Sequence, residues 1–134
     1  MVSLRPREVA KALDVPGSTL EHWFYSGLCP AFSRFEHGQH RRFSWLDVLH
    51  AAAMREISLL GVPLDDAARI AAAGVENGPH IYFWRTPDQG WQGGAFVPPE
   101  VESYGCVKIP IISAKLQRHL GDRLPALALA EDAA

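Results

Sequence analysis

The chain has 134 residues, with 13 Lys and Arg against 15 Asp and Glu, a net charge of −2 and 48% hydrophobic residues. This length fits one domain, or one small domain with an appendage, and the mild acidity argues against a histone-like or polybasic protein. No apolar run approaches the roughly 20 residues that span a bilayer, and the start lacks a signal-peptide core. Two cysteines are too few for a disulfide framework or a four-cysteine zinc site. A cytoplasmic protein without membrane contact is expected.

The charge and the turn residues are unevenly distributed. Residues 1–43 carry six basic and four acidic side chains, whereas residues 44–134 carry seven basic and eleven acidic ones. Eleven of the 21 Gly and Pro residues fall between Gly74 and Pro110. This shift predicts a helical domain over residues 1–76, a turn-rich region over residues 79–122 and a tail over residues 123–134.

The beginning of the chain predicts two short helices joined by a tight turn. Pro6 suits a first helical position, and apolar residues recur on one face over residues 5–13. After the turn, Ser18 or Thr19 is the expected N-cap of a second helix from Thr19 to about residue 26, with Glu21 completing a capping box. Gly27 is expected to end that helix. Together these two helices have the outline of a helix-turn-helix.

A hairpin and two further helices are expected next. Residues 32–35 and 39–43 read as two short strands, with the tip of the hairpin at Gly38. Ser44 is the expected cap of a third helix that ends at Gly61, and Pro63 opens a fourth. The apolar residues of the third helix recur at intervals of three and four: Leu46, Leu49, Ala53, Ile57 and Leu60. Those of the fourth helix are Leu64, Ala67, Ala68 and Ile70.

One ordered set of short segments runs through residues 3–73. It comprises Arg7-Glu8-Val9-Ala10, Val15-Pro16-Gly17-Ser18-Thr19-Leu20, Trp23, Gly27-Leu28, Gly38, Arg41, Phe43-Ser44, Asp47-Val48 and Gly61-Val62-Pro63-Leu64. In this order and spacing the segments resemble the MerR-type winged helix-turn-helix family. The resemblance implies a DNA-binding dimer whose second helix enters the major groove of double-stranded DNA. It also implies that the hairpin, or wing, touches the DNA backbone or the minor groove.

Candidate DNA contacts follow from this arrangement, because base edges need short polar side chains and phosphates need Lys or Arg. On the second helix they are Ser18, Thr19, His22 and Trp23, with Tyr25 as a further polar group. On the wing they are Arg34, His40, Arg41 and Arg42, and on the first helix they are Arg5 and Lys11. Two alternatives stay open: Trp23 can be a core residue, and the basic wing can be a solvated edge strand.

Glu21 departs from the family pattern, which usually has Arg just after the Thr-Leu pair. A carboxylate at this position repels phosphates unless it accepts a hydrogen bond from a cytosine amino group or belongs to a capping box.

The second part of the chain predicts a small antiparallel sheet and a short helix, so the fold class is α+β. The expected strands are residues 81–84, 91–97 and 107–112, and Ser113 is the expected cap of a helix over residues 114–120. The long dimerisation helix typical of the family is absent from this pattern. The aromatic area exceeds what so small a sheet buries internally, which predicts a homodimer interface. Its candidate residues are Tyr82, Phe83, Trp84, Trp91, Phe96, Leu116 and Leu120.

The competing interpretation is that the aromatic cluster, with Gly93-Gly94 nearby, forms a pocket for a flat small-molecule effector. No catalytic, cofactor-binding or metal-binding motif is found. His50, which lies among alanines, is expected to be packed or half-exposed rather than to act as a base. The sequence therefore predicts a homodimeric regulator of transcription and not an enzyme. Two alternatives are a DNA-bending accessory factor, such as a recombination directionality factor or phage-type regulator, and a protein-interaction module that has lost DNA affinity.

Overall fold

The chain folds as α+β, as expected, and the computed structural model describes residues 4–29 and 43–120. Its elements in chain order are α1 (Pro6–Leu13), α2 (Gly17–Tyr25), α3 (Trp45–Leu59), α4 (Leu64–Gly74), β1 (His80–Thr86), β2 (Gly90–Gly94), β3 (Gly105–Lys108) and α5 (Ile109–Leu120). Two predicted features lie outside the described residues: the wing strands over residues 32–35 and 39–42, and the tail over residues 123–134. Within residues 4–29 and 43–120, no helix is long and apolar enough to cross a membrane.

The described residues divide into two compact units. The helix-turn-helix unit comprises residues 4–29, 43–49 and 113–120, and the sheet unit comprises residues 50–112.

α1 begins at Pro6, where the sequence places it. The N–H of Arg5 donates to the Glu8 carboxylate at 3.2 Å, which satisfies a backbone group at the helix start. The helix ends with Asp14 in the left-handed conformation (φ 55°), where its N–H donates to the carbonyl of Lys11 at 3.2 Å. Asp tolerates this conformation better than most residues, which explains a sharp turn here without glycine.

α2 begins two residues earlier than predicted, so the assignment of Ser18 or Thr19 as its N-cap is wrong. The cap is Pro16 (φ −60°, ψ 146°), and no side chain donates or accepts a capping hydrogen bond. Proline holds φ near the required value, and the Pro16 carbonyl accepts from the N–H groups of Thr19 and Leu20 at 3.1 and 3.2 Å. The expected stop at Gly27 is confirmed by its positive φ of 82°.

Ser44 caps α3 as predicted. Its N–H donates to the Asp47 carboxylate at 2.9 Å, and the N–H of Asp47 donates back to the Ser44 hydroxyl at 3.2 Å. This reciprocal pair is a buried capping box. Of the predicted apolar stripe, Leu60 is misplaced: the helix ends at Leu59, and Leu60 is 60% exposed.

α3 and α4 contact each other inside the sheet unit. His50 is fully buried, and its Nε2 lies 3.2 Å from the carbonyl oxygen of Ala68 on α4. α4 buries Ala67, Ala68 and Ile70, as the sequence predicts. His50 is therefore packed, in agreement with the sequence.

The sheet has three antiparallel strands in the order β2-β1-β3. The predicted third strand over residues 107–112 is wrong after Lys108, because residues 109–112 form the first turn of α5. Pro110 fits there, since the first N–H groups of a helix have no partner within the helix. Ser113 is consequently inside α5 and does not cap it. Likewise, β2 ends at Gly94 and does not reach Val97.

α4 packs on one face of the sheet, and Arg69 ties the two together. Its guanidinium donates to the Trp91 carbonyl of β2 at 2.7 Å and lies 3.1 Å from the Asp66 carboxylate. A Cβ on Gly93 would lie 2.6 Å from Cγ2 of Ile70, so glycine is what allows the helix and strand to approach this closely.

Phe83 on the central strand lies between two glycines. It pairs with Gly93 on one side and with Gly105 on the other, and its ring is 3% exposed. A Cβ on Gly105 would overlap atoms of the Phe83 ring. Gly105 therefore leaves the space that the buried ring fills, whereas Gly93 makes room for Ile70 of α4.

Gly105→Ala should lower the free energy of unfolding by about 1–3 kcal/mol, because the added methyl group forces the Phe83 ring out of its packed position. Urea unfolding measures the change. Gly17→Ala is the control, because a Cβ there meets no atom within 4 Å. That variant should be neutral or slightly more stable. Equal unfolding midpoints for Gly105→Ala and the parent chain would contradict the packing described here.

Candidate nucleic-acid interface

Leu4, just before α1, is joined to Phe43, which precedes the Ser44 cap of α3. Leu4 and Phe43 form an isolated antiparallel bridge, with the Leu4 N–H 3.0 Å from the Phe43 carbonyl and the reverse bond at 2.9 Å. Both side chains are buried. The bridge holds the N-terminal side of α1 close to the start of α3.

One side of α2 is packed into this unit. Leu20 and Trp23 are buried, and the ring of Phe24 lies 4.7 Å from that of Phe43. The Trp23 carbonyl accepts from the N–H of Cys29 at 2.9 Å. Trp23 is only 6% exposed, which favours its interpretation as a core residue over the predicted phosphate contact.

The opposite side of α2 is an exposed polar stripe, which we call the α2 face. It consists of Ser18, Glu21, His22 and Tyr25, all exposed, while Thr19 is half-buried. Positions i, i+3, i+4 and i+7 lie on one side of a helix, so these four side chains share a surface. Ser18, Thr19 and His22 are predicted contact residues. Tyr25, which is 76% exposed, extends the stripe by one turn.

Glu21 is in the middle of the α2 face and has no capping role. α2 has no capping hydrogen bond from a side chain, so the predicted pairing of Ser18 with Glu21 is wrong. The absence of this pairing excludes the capping box as a role for Glu21. On a DNA-facing surface Glu21 would either accept from a cytosine amino group or repel phosphates.

α1 contributes exposed cations. Arg5, Arg7 and Lys11 are all exposed, and Arg7 and Lys11 share one face of the helix because they are four residues apart. Arg7 is not among the predicted contacts, although its spacing of four residues from Lys11 indicates that both lie on the same face of α1. The predicted wing contacts lie outside the described residues: Arg34, His40, Arg41 and Arg42.

The residues predicted for a dimer interface differ widely in exposure. Four are buried within the single chain: Phe83, Trp84, Leu116 and Leu120. These offer little surface to a partner. Tyr82 and Trp91 are half-buried, whereas Phe96 is 78% exposed.

Aromatic rings remain accessible around β1 of the sheet unit. The ring of Tyr82 lies 6.0 Å from that of His80 and 5.7 Å, edge-on, from that of Tyr104. Tyr104 is 56% exposed. We call Tyr82, Tyr104 and Phe96 the aromatic surface.

A separate shallow cleft lies between α4 and the strands. Its volume is about 300 Å³, and its lining consists of Ile70, Ala73, Gly74, Asn77, His80, Gly93, Gly94 and Ala95. Gly93 and Gly94, which belong to the effector-pocket interpretation, line this cleft, whereas the aromatic residues of that interpretation do not.

Cys29 follows α2 and is fully buried. Burial, with a smaller contribution from the negative charge of Asp47, raises the pKa of the Cys29 thiol to about 12. Partial burial also raises the pKa of Cys106, and the nearby Lys108 opposes this effect. Cys29 is thus an inert core residue, whereas Cys106 in the sheet is half-exposed.

Two short helices joined by a tight turn, the second with a buried side and an exposed polar side, define a helix-turn-helix protein of the DNA-binding class. The family model for the MerR HTH family regulatory protein matches residues 4–74, just over half of the chain. The chain belongs to this family, which confirms the resemblance seen in the sequence. The family is one of DNA-binding regulators of transcription and not of enzymes. None of the curated proteins matches the chain.

The two thiols should label at very different rates. At about pH 8 an alkylating reagent should modify Cys106 in the folded protein and Cys29 only after unfolding, because the thiolate is the reactive form and Cys29 is buried. Mass spectrometry of digested protein identifies the modified residue, and Cys106→Ser is the control that should leave no rapidly labelled thiol. Equal labelling of both residues in the folded protein would contradict the buried position of Cys29.

Proposed function

We propose that the protein is a sequence-specific transcriptional regulator that binds double-stranded DNA as a homodimer, with α2 in the major groove. The observation that carries the proposal is the α2 face: an exposed polar stripe on a helix whose other side is anchored by Leu20 and Trp23. Membership of the MerR HTH family supports the DNA partner.

Different residues have different proposed roles in this complex. We assign base contacts to Ser18, Thr19 and His22, since a recognition helix contacts bases through its N-terminal part. Lys11 and Arg5 bind phosphates, which position the protein but carry no sequence information. The basic wing residues Arg34, His40, Arg41 and Arg42 contact the flanking backbone or minor groove, a role that the family resemblance supports.

We assign dimerisation to residues 79–122 and DNA binding to residues 1–76. Two facts support a dimer. Phe96 and Tyr104 of the aromatic surface are more than half exposed, and aromatic side chains are enriched in protein–protein interfaces. Residues 1–43 have only two more basic than acidic side chains, so a single copy has few phosphate contacts to offer. A dimer doubles them.

His22→Ala should change which sequences the protein prefers, because it removes a hydrogen-bonding group from the α2 face. Lys11→Ala, the comparison variant, should weaken binding to all sequences alike, since it removes a phosphate contact. Selection of bound duplexes from a random pool, followed by sequencing, measures both effects. If His22→Ala prefers the same sequences as the parent chain, the proposed contact between His22 on α2 and the bases is wrong. Absence of DNA binding by the parent chain at about 50 mM salt, where phosphate contacts are strong, would favour a protein-interaction module.

Tyr104→Ser should weaken the dimer by roughly fivefold or more, because Tyr is enriched among the interface residues whose truncation costs above about 1 kcal/mol. Sedimentation velocity over a range of concentrations measures the dissociation constant. Tyr25→Ser is the matched control: Tyr25 is also exposed but lies on α2, so the dimer should be unaffected. A parent chain that is monomeric at tens of micromolar, or a control variant that dissociates equally, would overturn the proposed interface.

A further inference from the structure

The outer edge of β3 presents backbone hydrogen-bonding groups. In an antiparallel pair, residues that exchange hydrogen bonds with the neighbouring strand alternate with residues whose N–H and C=O groups point away from it. The N–H of Ile109 donates to the carbonyl of Pro79, just before β1, at 2.7 Å. By this alternation Val107 bonds to β1, whereas the N–H and C=O of Cys106 and the N–H of Lys108 point away from the sheet.

The two edges of the sheet differ in what covers them. Within residues 4–29 and 43–120, the outward backbone groups of Cys106 and Lys108 make no hydrogen bond. On β2, at the opposite edge, the outward carbonyl of Trp91 accepts from the Arg69 guanidinium of α4 at 2.7 Å. A side chain therefore blocks the β2 edge, whereas the β3 edge is open to pairing with another strand.

The side chains along β3 fit a second copy of the same strand. Antiparallel pairing of two copies centred on Cys106 puts Lys108 of each opposite Tyr104 of the other, where a cation over an aromatic ring is favourable. Glu102, two residues before Tyr104, adds a carboxylate to the same end of the pairing. A register with Lys108 opposite Lys108 would be destabilised, because like charges would face each other. Charge therefore selects the register centred on Cys106.

We propose that two copies of the chain pair through their β3 edges and join their sheets into one, which rests on the homodimer of the proposed function. Each Cys106 N–H donates to the Cys106 carbonyl of the other copy, and each Lys108 N–H donates to a Tyr104 carbonyl. The Tyr104 ring, which is 56% exposed and lies 5.7 Å from that of Tyr82, is covered by the same contact. Because Arg69 blocks the β2 edge, the assembly closes as a dimer and does not extend into a filament.

Cys106→Pro tests the open edge without removing a hydrogen bond of the sheet, because the N–H that it deletes points away from β1. The dissociation constant of the dimer should rise roughly tenfold or more, since two hydrogen bonds between the copies are lost. Sedimentation velocity over a range of concentrations, without DNA, measures it. Cys106→Ser is the control, because it keeps the N–H and should match the parent chain. An unchanged circular dichroism spectrum confirms that both variants keep the fold.

Cross-linking gives a second measurement that needs no proline variant. In the proposed register the Cα atoms of the two Cys106 residues lie about 5.5 Å apart. A short bismaleimide should therefore join two parent chains through Cys106, since Cys29 is buried. Cys106→Ser/Gln92→Cys moves the thiol to half-buried position 92 of β2. Five strand spacings then separate the two thiols, about 24 Å in all, so this control should not be cross-linked.

The outcomes separate this proposal from the proposed function. A parent chain that is monomeric at tens of micromolar overturns both the edge pairing and the homodimer. A dimeric parent chain that is not cross-linked through Cys106, or whose dissociation constant is unchanged in Cys106→Pro, overturns only the edge pairing. Equal cross-linking of the Gln92→Cys control, or equal weakening by Cys106→Ser, also overturns it. Failure to bind DNA is detected separately, because none of these measurements contains DNA.

Discussion

The two backbone hydrogen bonds between Leu4 and Phe43 are the constraint on which the helix-turn-helix unit depends. They bring together residues 39 positions apart in the sequence, and they place the Phe43 ring against Phe24 on α2. The next residue, Ser44, then caps α3 through Asp47. The same short segment therefore contacts α1 through Leu4, supports α2 and starts α3. Because α2 is held from its buried side, its polar side is presented to the solvent in a fixed orientation.

In the sheet unit, large aromatic rings pack on a sheet of only three short strands. The ring of Phe83 fits because Gly105 leaves space beside it, and Gly93 lets Ile70 of α4 approach the sheet closely. The remaining aromatic side chains cannot all be accommodated in this way. Tyr104 and Phe96 stay exposed, which is why the proposed dimer interface depends on them and not on the buried rings.

Electrostatics distinguish the two units more clearly than the net charge of −2 suggests. Residues 50–112 carry seven carboxylates against four Lys and Arg, whereas among the described residues of the helix-turn-helix unit α1 presents the exposed cations Arg7 and Lys11. Glu21 is the exception, since it places a negative charge on the α2 face. A carboxylate there weakens the attraction to phosphates. Affinity therefore depends more on base-specific contacts and on a second copy of the chain.

The sequence by itself determined the order of the helices, the three strands and the family, because these depend on local periodicity, turn residues and motif spacing. It predicted Ser44 as a cap and Gly27 as a stop, both set by neighbouring residues. Only the tertiary structure decided the start of α2 at Gly17, with Pro16 as its cap. It also decided the helical state of residues 109–112, an apolar run that suits a strand or a buried helix equally well. It also decided that Trp23 and Phe83 are buried while Tyr25 and Phe96 are exposed. Burial depends on contacts between residues that are far apart in the chain, and a local pattern does not contain that information.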